Sequence, residues 1–207
     1  MDFKIFKAYD VRGKHPSELN EETVFRIAEA IGKYFFLKAK SSRQERCSSK
    51  TAKLKAKLEI HLMVESPEDV LEDWLASGIK RIFIHYESIN DFKLLRDKCG
   101  EAGVELGLAV GPHIPIEGLF EYRGKVNYFL ILAVEPGVSG QKFQDNQLEK
   151  IRALREKMPG AKIEVDGGVN IANAFDIKQA GADILVSASY IWNSKNSKEA
   201  FELLKSV

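Results

Sequence analysis

The sequence has little cysteine, no long apolar run and almost no net charge, and each shortage excludes a class of protein. Its two cysteines, Cys47 and Cys99, are far apart and match neither a CxxC pair nor a zinc-binding spacing. No apolar run approaches the roughly 18 residues needed to cross a bilayer, and the segment 1–4 has no signal-peptide core. We therefore expect a cytoplasmic protein with two free thiols and no membrane partner.

The charge balance argues against a dedicated nucleic-acid binder, because such proteins carry a large basic excess. Lys and Arg number 31 and Asp and Glu 30, which gives a formal net charge of +1. One segment departs from this balance, since residues 37–57 hold eight basic residues and one acid, Glu45. A nucleic-acid-binding role for this segment would rest on its positive charge alone, so we interpret residues 38–57 as a solvated basic connector.

From residue 58 onward, short apolar runs alternate with amphipathic stretches. The runs do not alternate strictly between apolar and polar residues, which is typical of parallel strands covered on both faces. Strands at this rhythm predict a parallel sheet built from right-handed crossovers. The predicted strands are 58–64, 81–85, 105–110, 128–134, 162–165 and 183–187, and the predicted helices are 66–76, 90–99, 115–120, 146–158, 170–180 and 197–205.

These six units of one strand and one helix could form either an open doubly wound sheet or most of an eight-unit barrel. Eight units of the same size would need about 200 residues, and the chain has 207, so the length favours a TIM-barrel-like (βα)8 fold. Residues 3–9 supply one earlier strand, and residues 20–36 form an amphipathic pattern typical of a helix. Residues 38–57 contain no apolar run that could supply another strand, so we expect the barrel to be incomplete or rearranged at strands 1 and 2.

Three loops rich in small residues follow the last three predicted strands, at 135–141, 166–169 and 187–189. In a parallel α/β fold these loops lie at the carboxyl end of the sheet, where ligands bind. Glycine lets backbone N–H groups approach an anion, and the following helix N-termini favour negative charge. A tight turn explains any single loop equally well, but three successive loops favour a phosphate site.

Two polar residues of the predicted strands are candidates for chemistry. Asp166 ends a strand at the ligand-binding edge, where a carboxylate can transfer protons or bind a metal. His61 lies within a strand, and a single strand histidine is more often a hydrogen-bonded core residue. His85, at the end of the next strand, has the same ambiguity.

Residues 58–194 resemble ribulose-phosphate 3-epimerases in collinear order. The segments that carry the resemblance are HLMVE at 61–65, PGVSGQKF at 136–143, EVDGGV at 164–169 and GADILV at 181–186. The resemblance implies that the six units are the third to eighth of a (βα)8 barrel. It also implies an isomerase that inverts one carbon of a pentulose 5-phosphate, a small phosphorylated sugar, by metal-assisted proton abstraction and return.

The same resemblance assigns roles to individual residues. Asp166 corresponds to an aspartate that is both catalytic acid/base and metal ligand, and His61 to a histidine that binds the metal at the substrate site. The metal is divalent: zinc, iron or manganese. The implied phosphate-binding residues are Gly137, Val138, Ser139, Gly140, Gly167, Gly168, Ala188 and Ser189.

The chain also departs from the pattern of the epimerases. Their first two strands have no counterpart here, and those strands carry two of the four metal ligands and one of the two proton carriers. Asp10 is a conceivable substitute for that carrier. Glu135 stands where the family usually has asparagine, and Ala188 where it has glycine.

Residues 3–36 resemble a different family, the phosphomannomutases and phosphoglucomutases, through FKAYDVRG at 6–13 and ELNEET at 18–23. The phosphoserine loop and the acidic metal loop of these mutases have no counterpart in the chain, which excludes mutase chemistry. We therefore interpret the chain as a chimera with a mutase-like element at 1–37, the connector at 38–57 and an epimerase-like barrel portion at 58–207.

Three hypotheses follow from these observations. The first is the epimerase-like isomerase. The second is a non-catalytic barrel fragment that binds a phosphorylated sugar. The third is a homo-oligomer in which two chains complete each other's sheet, because an incomplete barrel exposes strand edges.

Overall fold

The computed structural model describes residues 59–76, 79–137 and 140–207. The predicted mutase-like element and basic connector lie outside the described residues. The strands are β1 (Glu59–Leu62), β2 (Arg81–His85), β3 (Glu105–Val110), β4 (Tyr128–Leu132), β5 (Lys162–Asp166) and β6 (Ile184–Val186). The helices are α1 (Pro67–Leu75), α2 (Phe92–Glu101), α3 (Gln147–Lys157), α4 (Ile171–Ala180), α5 (Ser189–Trp192) and α6 (Ser197–Lys205), with 3₁₀ turns at Tyr86–Ser88 and Ile116–Tyr122.

The helices begin where the sequence offers capping groups. Pro67 is the first residue of α1, and the acids Glu68 and Asp69 occupy its first turn. Their negative charges stabilise the helix by interacting with the positive end of its dipole. Asp91 caps α2 by accepting a hydrogen bond from the backbone of Leu94 at 2.9 Å. The Asp91 contact binds one of the backbone N–H groups that the first turn of α2 leaves free.

The six strands are all parallel and lie in the order β1-β2-β3-β4-β5-β6. In a flat sheet, β1 and β5 would lie about 19 Å apart, because neighbouring strands are separated by about 4.8 Å. Yet His61 on β1 lies 3.7 Å from Asp166 on β5. The sheet therefore curls into a half-barrel, which confirms the parallel, incomplete barrel predicted from the sequence.

The curled sheet has an apolar outer face and an inner face that is partly polar. Outward residues such as Ile82, Leu108 and Ile131 are fully buried and belong to the main core, under the helices. The inner face carries a second, smaller apolar cluster of Phe83, Ala109, Leu130, Leu132 and Val134. Alternation along each strand places the polar side chains of the sheet on this inner face with the small cluster.

Candidate active site

The structure brings together Asp166 and His61, the two residues singled out on the strands. Both lie near the carboxyl ends of their strands, with 3.7 Å between His61 Nδ1 and Asp166 Oδ2. This separation is too long for a hydrogen bond, and the two side chains form an ion pair only when the His61 ring is protonated. Burial lowers the pKa of His61, against the opposing effect of Asp166.

His85, which the sequence left ambiguous, completes this group. Its Nε2 lies 2.9 Å from His61 Nε2, and its Nδ1 lies 2.9 Å from Glu87 Oε1. Burial raises the pKa of Glu87, but hydrogen bonds from His85 and the backbone outweigh it and hold that pKa below its usual value. Glu87 went unrecognised in the sequence, although its position two residues after His85 was a signal that both could face the same side.

A groove of about 750 Å³ opens at the same end of the sheet, between the loops that follow β4, β5 and β6. Three of the predicted phosphate residues, one from each loop, line it: Gly140, Gly168 and Ser189. Gly137, Gly167 and Ala188 belong to the same loops but not to the lining, and Val138 and Ser139 lie outside the described residues. The lining residues that sequence reasoning missed include one base and one acid, Lys142 and Asp145, and the polar or aromatic residues Gln141, Phe143, Asn170, Asn173, Tyr190, Asn193 and Ser194.

The groove depends on a close approach of two loops at Gly168. This residue has φ +68°, and a Cβ there would lie 2.1 Å from the backbone nitrogen of Phe143. Glycine is therefore the residue that lets the β5 loop pack on the β4 loop. The N-terminus of α4 follows directly, capped by Asn170, whose side chain accepts from the backbone of Ala172 at 2.8 Å.

A charged layer lies beneath the two histidines, nearer the amino ends of the strands. Arg81 donates to Glu59 and to Glu105, each at 2.7 Å, and its guanidinium lies 3.4 Å from the centre of the Tyr128 ring. Glu164 is only 2% exposed, and its Oε2 has no hydrogen-bond partner. Burial, with Glu59 beside it, raises the pKa of Glu164 to about 8.

The described residues supply two of the four metal ligands that the resemblance implies, His61 and Asp166. Within residues 59–76, 79–137 and 140–207, no group of three or more His, Cys, Asp or Glu side chains is arranged to hold a metal ion. Asp166 faces Nδ1 of His61, whereas Nε2 of the same ring faces His85. One ion with bonds of about 2.0–2.2 Å could bridge the 3.7 Å between Nδ1 of His61 and Oδ2 of Asp166. These two implied ligands therefore lie together, and the other two belong to strands before residue 58, outside the described residues.

A curled parallel sheet with polar side chains and small-residue loops at its carboxyl end defines a protein of the TIM-barrel class. Residues 43–192 match the Ribulose-phosphate 3 epimerase family, and the chain belongs to that family. The match begins inside the predicted connector and does not include residues 3–36. In the part of the chain that the structure describes, no helix has the length and apolar character of a membrane span.

Two relatives illustrate the match. A protein of Candida glabrata named ribulose-phosphate 3-epimerase is 31% identical over 166 residues, which cover 80% of this chain and 68% of the relative. A protein of Chlamydia muridarum with the same name is 36% identical over 156 residues, which cover 72% of this chain and 68% of the relative. Each alignment thus spans about two thirds of its relative.

A solved structure supports the fold. The crystal structure of KGPDC from Streptococcus mutans superposes on this chain with a TM-score of 0.61, and the alignment covers 91% of this chain and 78% of the KGPDC chain. The two chains are 11% identical, so the similarity concerns the fold alone.

Proposed function

We propose that the chain acts as a ribulose-phosphate 3-epimerase-like isomerase on a pentulose 5-phosphate. One observation carries this proposal: the three small-residue loops line a single groove at the end of the sheet that holds Asp166. Backbone N–H groups and the capped N-terminus of α4 favour an anion there. The groove would hold the 5-phosphate of the sugar.

The distance from the groove to Asp166 suits a short sugar phosphate. Gly168 lines the groove and follows Asp166 by two residues, which span at most about 7 Å of chain. A phosphate in the groove would therefore leave the carbon chain of a pentulose within reach of Asp166 and His61.

In the proposed reaction, Asp166 removes the proton from C3 of the sugar. The electron pair of the broken C–H bond forms the C2–C3 double bond, and the carbonyl oxygen on C2 takes the negative charge. Return of a proton to the opposite face of C3 gives the epimer and needs a second acid. The resemblance assigns that acid to a strand before residue 58, outside the described residues. The metal of the family, zinc, iron or manganese by resemblance, enters no step here, because the described residues supply only part of its ligand set.

The test is an NMR assay of D-ribulose 5-phosphate in D₂O. We expect exchange of the C3 proton, and Asp166→Asn should lower its rate by at least 100-fold. Asp176→Asn, which changes an exposed aspartate of α4, is the matched control and should have no effect. Exchange that survives Asp166→Asn would overturn the proposed role of Asp166.

A second candidate function is non-catalytic binding of a phosphorylated sugar. The observation in its favour is that no group of three or more metal ligands forms among the described residues. It predicts that titration calorimetry detects D-ribulose 5-phosphate binding while the C3 proton does not exchange. Gly168→Ala should weaken that binding, because it disturbs the groove.

We further propose that the chain self-associates. Among the described strands, β1 and β6 each pair on one side, and open strand edges favour association. Light scattering after size exclusion should detect a dimer or larger species, and a monomer at every concentration would contradict self-association.

We also propose that the chain resides in the cytoplasm. Cys99 is a buried free thiol, as expected in a reducing compartment.

A further inference from the structure

We propose that Glu87 and His85 are positioning residues, which hold the ring proton of His61 on Nε2 through a chain of two hydrogen bonds. Nδ1 of His61 is thereby left as a lone pair that faces Asp166. The family resemblance assigns no role to His85 or Glu87. The expected effect on the reaction rests on the proposed function, whereas the position of the proton does not.

The first hydrogen bond of the chain joins His85 to Glu87. Oε1 of Glu87 lies 2.9 Å from Nδ1 of His85. An ionised carboxylate only accepts hydrogen bonds, so Nδ1 of His85 carries the proton. In a neutral imidazole the other ring nitrogen is then an acceptor, and Nε2 of His85 presents a lone pair.

The second hydrogen bond joins the two histidines. Their Nε2 atoms lie 2.9 Å apart, which is a hydrogen-bond distance, so one of the two nitrogens must donate. Because Nε2 of His85 is the acceptor, Nε2 of His61 is the donor. The ring centroids are 4.9 Å apart and the planes are inclined by 18°, so the rings approach by their edges, as an N–H directed along the ring plane requires.

The opposite side of the His61 ring agrees with this assignment. Its Nδ1 is buried, has no hydrogen-bond partner among the described residues, and lies 3.7 Å from Oδ2 of Asp166. A proton on Nδ1 would leave two Nε2 lone pairs facing each other and would still be too far from Asp166 for a hydrogen bond. The side chains of His61 and His85 are 12% and 10% exposed, so water has little access to either ring.

Glu87 is itself held in place by the loop that follows β3. The backbone N–H of Gly111 donates to the Glu87 carboxylate, and a Cβ on Gly111 would lie 3.4 Å from Oε1. Nζ of Lys150, on α3, donates to the backbone carbonyls of Gly111, Pro112 and Ile114 at 2.9, 2.7 and 2.8 Å. Lys150 therefore fixes the loop that fixes Glu87.

The tautomer of His61 determines what this ring can do beside Asp166. A lone pair on Nδ1 can accept a hydrogen bond from a sugar hydroxyl or bind the metal ion that the family resemblance implies, and a protonated Nδ1 can do neither. Glu87 and His85 thus prepare the ring for the proposed reaction without touching the sugar. Because the groove that would hold the phosphate is built from other loops, their loss should slow the reaction more than it weakens binding.

The experiment is NMR of the full chain with ¹⁵N-labelled histidine, treated with a chelator and kept at about pH 8, above the usual histidine pKa of about 6.5. Two-bond ¹H–¹⁵N correlation distinguishes a protonated ring nitrogen from a bare one, and the chain has four histidines to assign. We expect the His61 ring of the natural protein to carry its proton on Nε2. Glu87→Met keeps an unbranched side chain but removes the carboxylate acceptor. The His85 proton can then move to Nε2 and donate to His61, which should shift the His61 proton to Nδ1.

Two variants serve as matched controls. Glu87→Gln keeps an oxygen that can accept from His85, so it should retain the natural His61 signature. Glu101→Met, at the exposed end of α2, should change nothing. In the C3 exchange assay, Glu87→Met should lower the rate about 10- to 100-fold, as loss of a group that orients a site histidine does, and Glu87→Gln should lower it less.

Circular dichroism and thermal unfolding show whether each variant folds. His85→Phe, which removes the acceptor of the His61 proton, is the second test if Glu87→Met does not fold, and it should also release the proton from Nε2. A His61 ring protonated on Nδ1 in the natural protein, or unchanged in both variants, would overturn the inference.

The outcomes separate this inference from the proposed function. Expected NMR signatures in a protein that exchanges no C3 proton would uphold the inference and refute the proposed enzymatic function. Exchange that depends on Asp166, in a protein whose His61 carries its proton on Nδ1, would do the reverse.

Discussion

At the scale of single residues, Gly168 shows how the absence of one side chain shapes the candidate phosphate groove. A methyl group there would meet the backbone of residues 142 and 143, which cannot move aside as a flexible side chain could. Its positive φ adds to the cost, because a residue with a Cβ is strained in that conformation. The identity of this residue thus sets the distance between two loops that line the groove.

We expect Gly168→Ala to lower the free energy of unfolding by about 1–3 kcal/mol and to weaken binding of inorganic phosphate at least 10-fold. Urea denaturation and calorimetry measure the two effects. Gly160→Ala is the matched control, since a Cβ there meets nothing within 4 Å. Equal stability and affinity in Gly168→Ala and Gly160→Ala would contradict this account of the groove.

The site residues show which features could be predicted from the sequence. Asp166 could be singled out because a charged residue at the end of an apolar strand is unusual, and the family motifs placed it with His61, which the structure shows 3.7 Å away. The partnership of His61 with His85 was not predicted, because it depends on which ring nitrogens face each other after the strands pair. Ring orientation is set by neighbours distant in sequence, such as Glu87 behind one ring and Asp166 behind the other.

At the scale of secondary-structure elements, β3 depends on a glycine that packs against β2. Gly107 pairs with Phe83 across the sheet, and a Cβ on Gly107 would lie 2.5 Å from that ring. Phe83 is fully buried in the inner cluster, so the ring has little space to move.

We therefore expect Gly107→Ala to lower the free energy of unfolding by about 1–3 kcal/mol through overpacking. Replacing the ring should relieve the clash, so Phe83→Leu should cost less in the presence of Gly107→Ala than alone. A double-mutant cycle by urea denaturation measures this coupling. Strictly additive effects would show that the close contact does not limit packing here.

The elements most accurately predicted are those with a strong local signal. The predicted bounds of β2, β3 and α6 agree with the structure, because each has apolar residues at a clear spacing and a turn or capping residue beside it. Helix α5 was not predicted, since four residues are too few to show helical periodicity. Its position follows from the packing of the β6 loop, which no local pattern records.

At the scale of the whole molecule, the number and order of the six βα units followed from the sequence, and the chain length and the family resemblance favoured a sheet curved into an incomplete barrel. Curvature brings β1 within reach of β5, and it results from strand twist and from side chains that fill the inner face. It also encloses the carboxylate of Glu164 between strands that a flat sheet would keep apart. Curling the sheet therefore makes global stability sensitive to pH.

The raised pKa of Glu164 makes the free energy of unfolding fall as the pH rises. Its pKa rises from 4.5 to about 8 in the folded protein, so between these values the folded state holds a proton that the unfolded state has lost. Stability from this group is fully present below about pH 4.5 and is lost as the pH rises to about 8. For one proton the slope is at most about 1.4 kcal/mol per pH unit.

We expect Glu164→Gln to flatten the pH dependence of the free energy of unfolding, measured by urea denaturation from pH 5 to pH 9. The amide resembles the protonated carboxyl in shape but cannot ionise, so the variant should gain stability relative to the natural protein as the pH rises. Glu156→Gln, on the exposed side of α3, should leave the profile unchanged. If Glu164→Gln and the natural protein have parallel profiles, the Glu164 carboxyl is ionised in the folded protein at neutral pH. Arg81, which already binds Glu59 and Glu105, is then the cation expected to stabilise it.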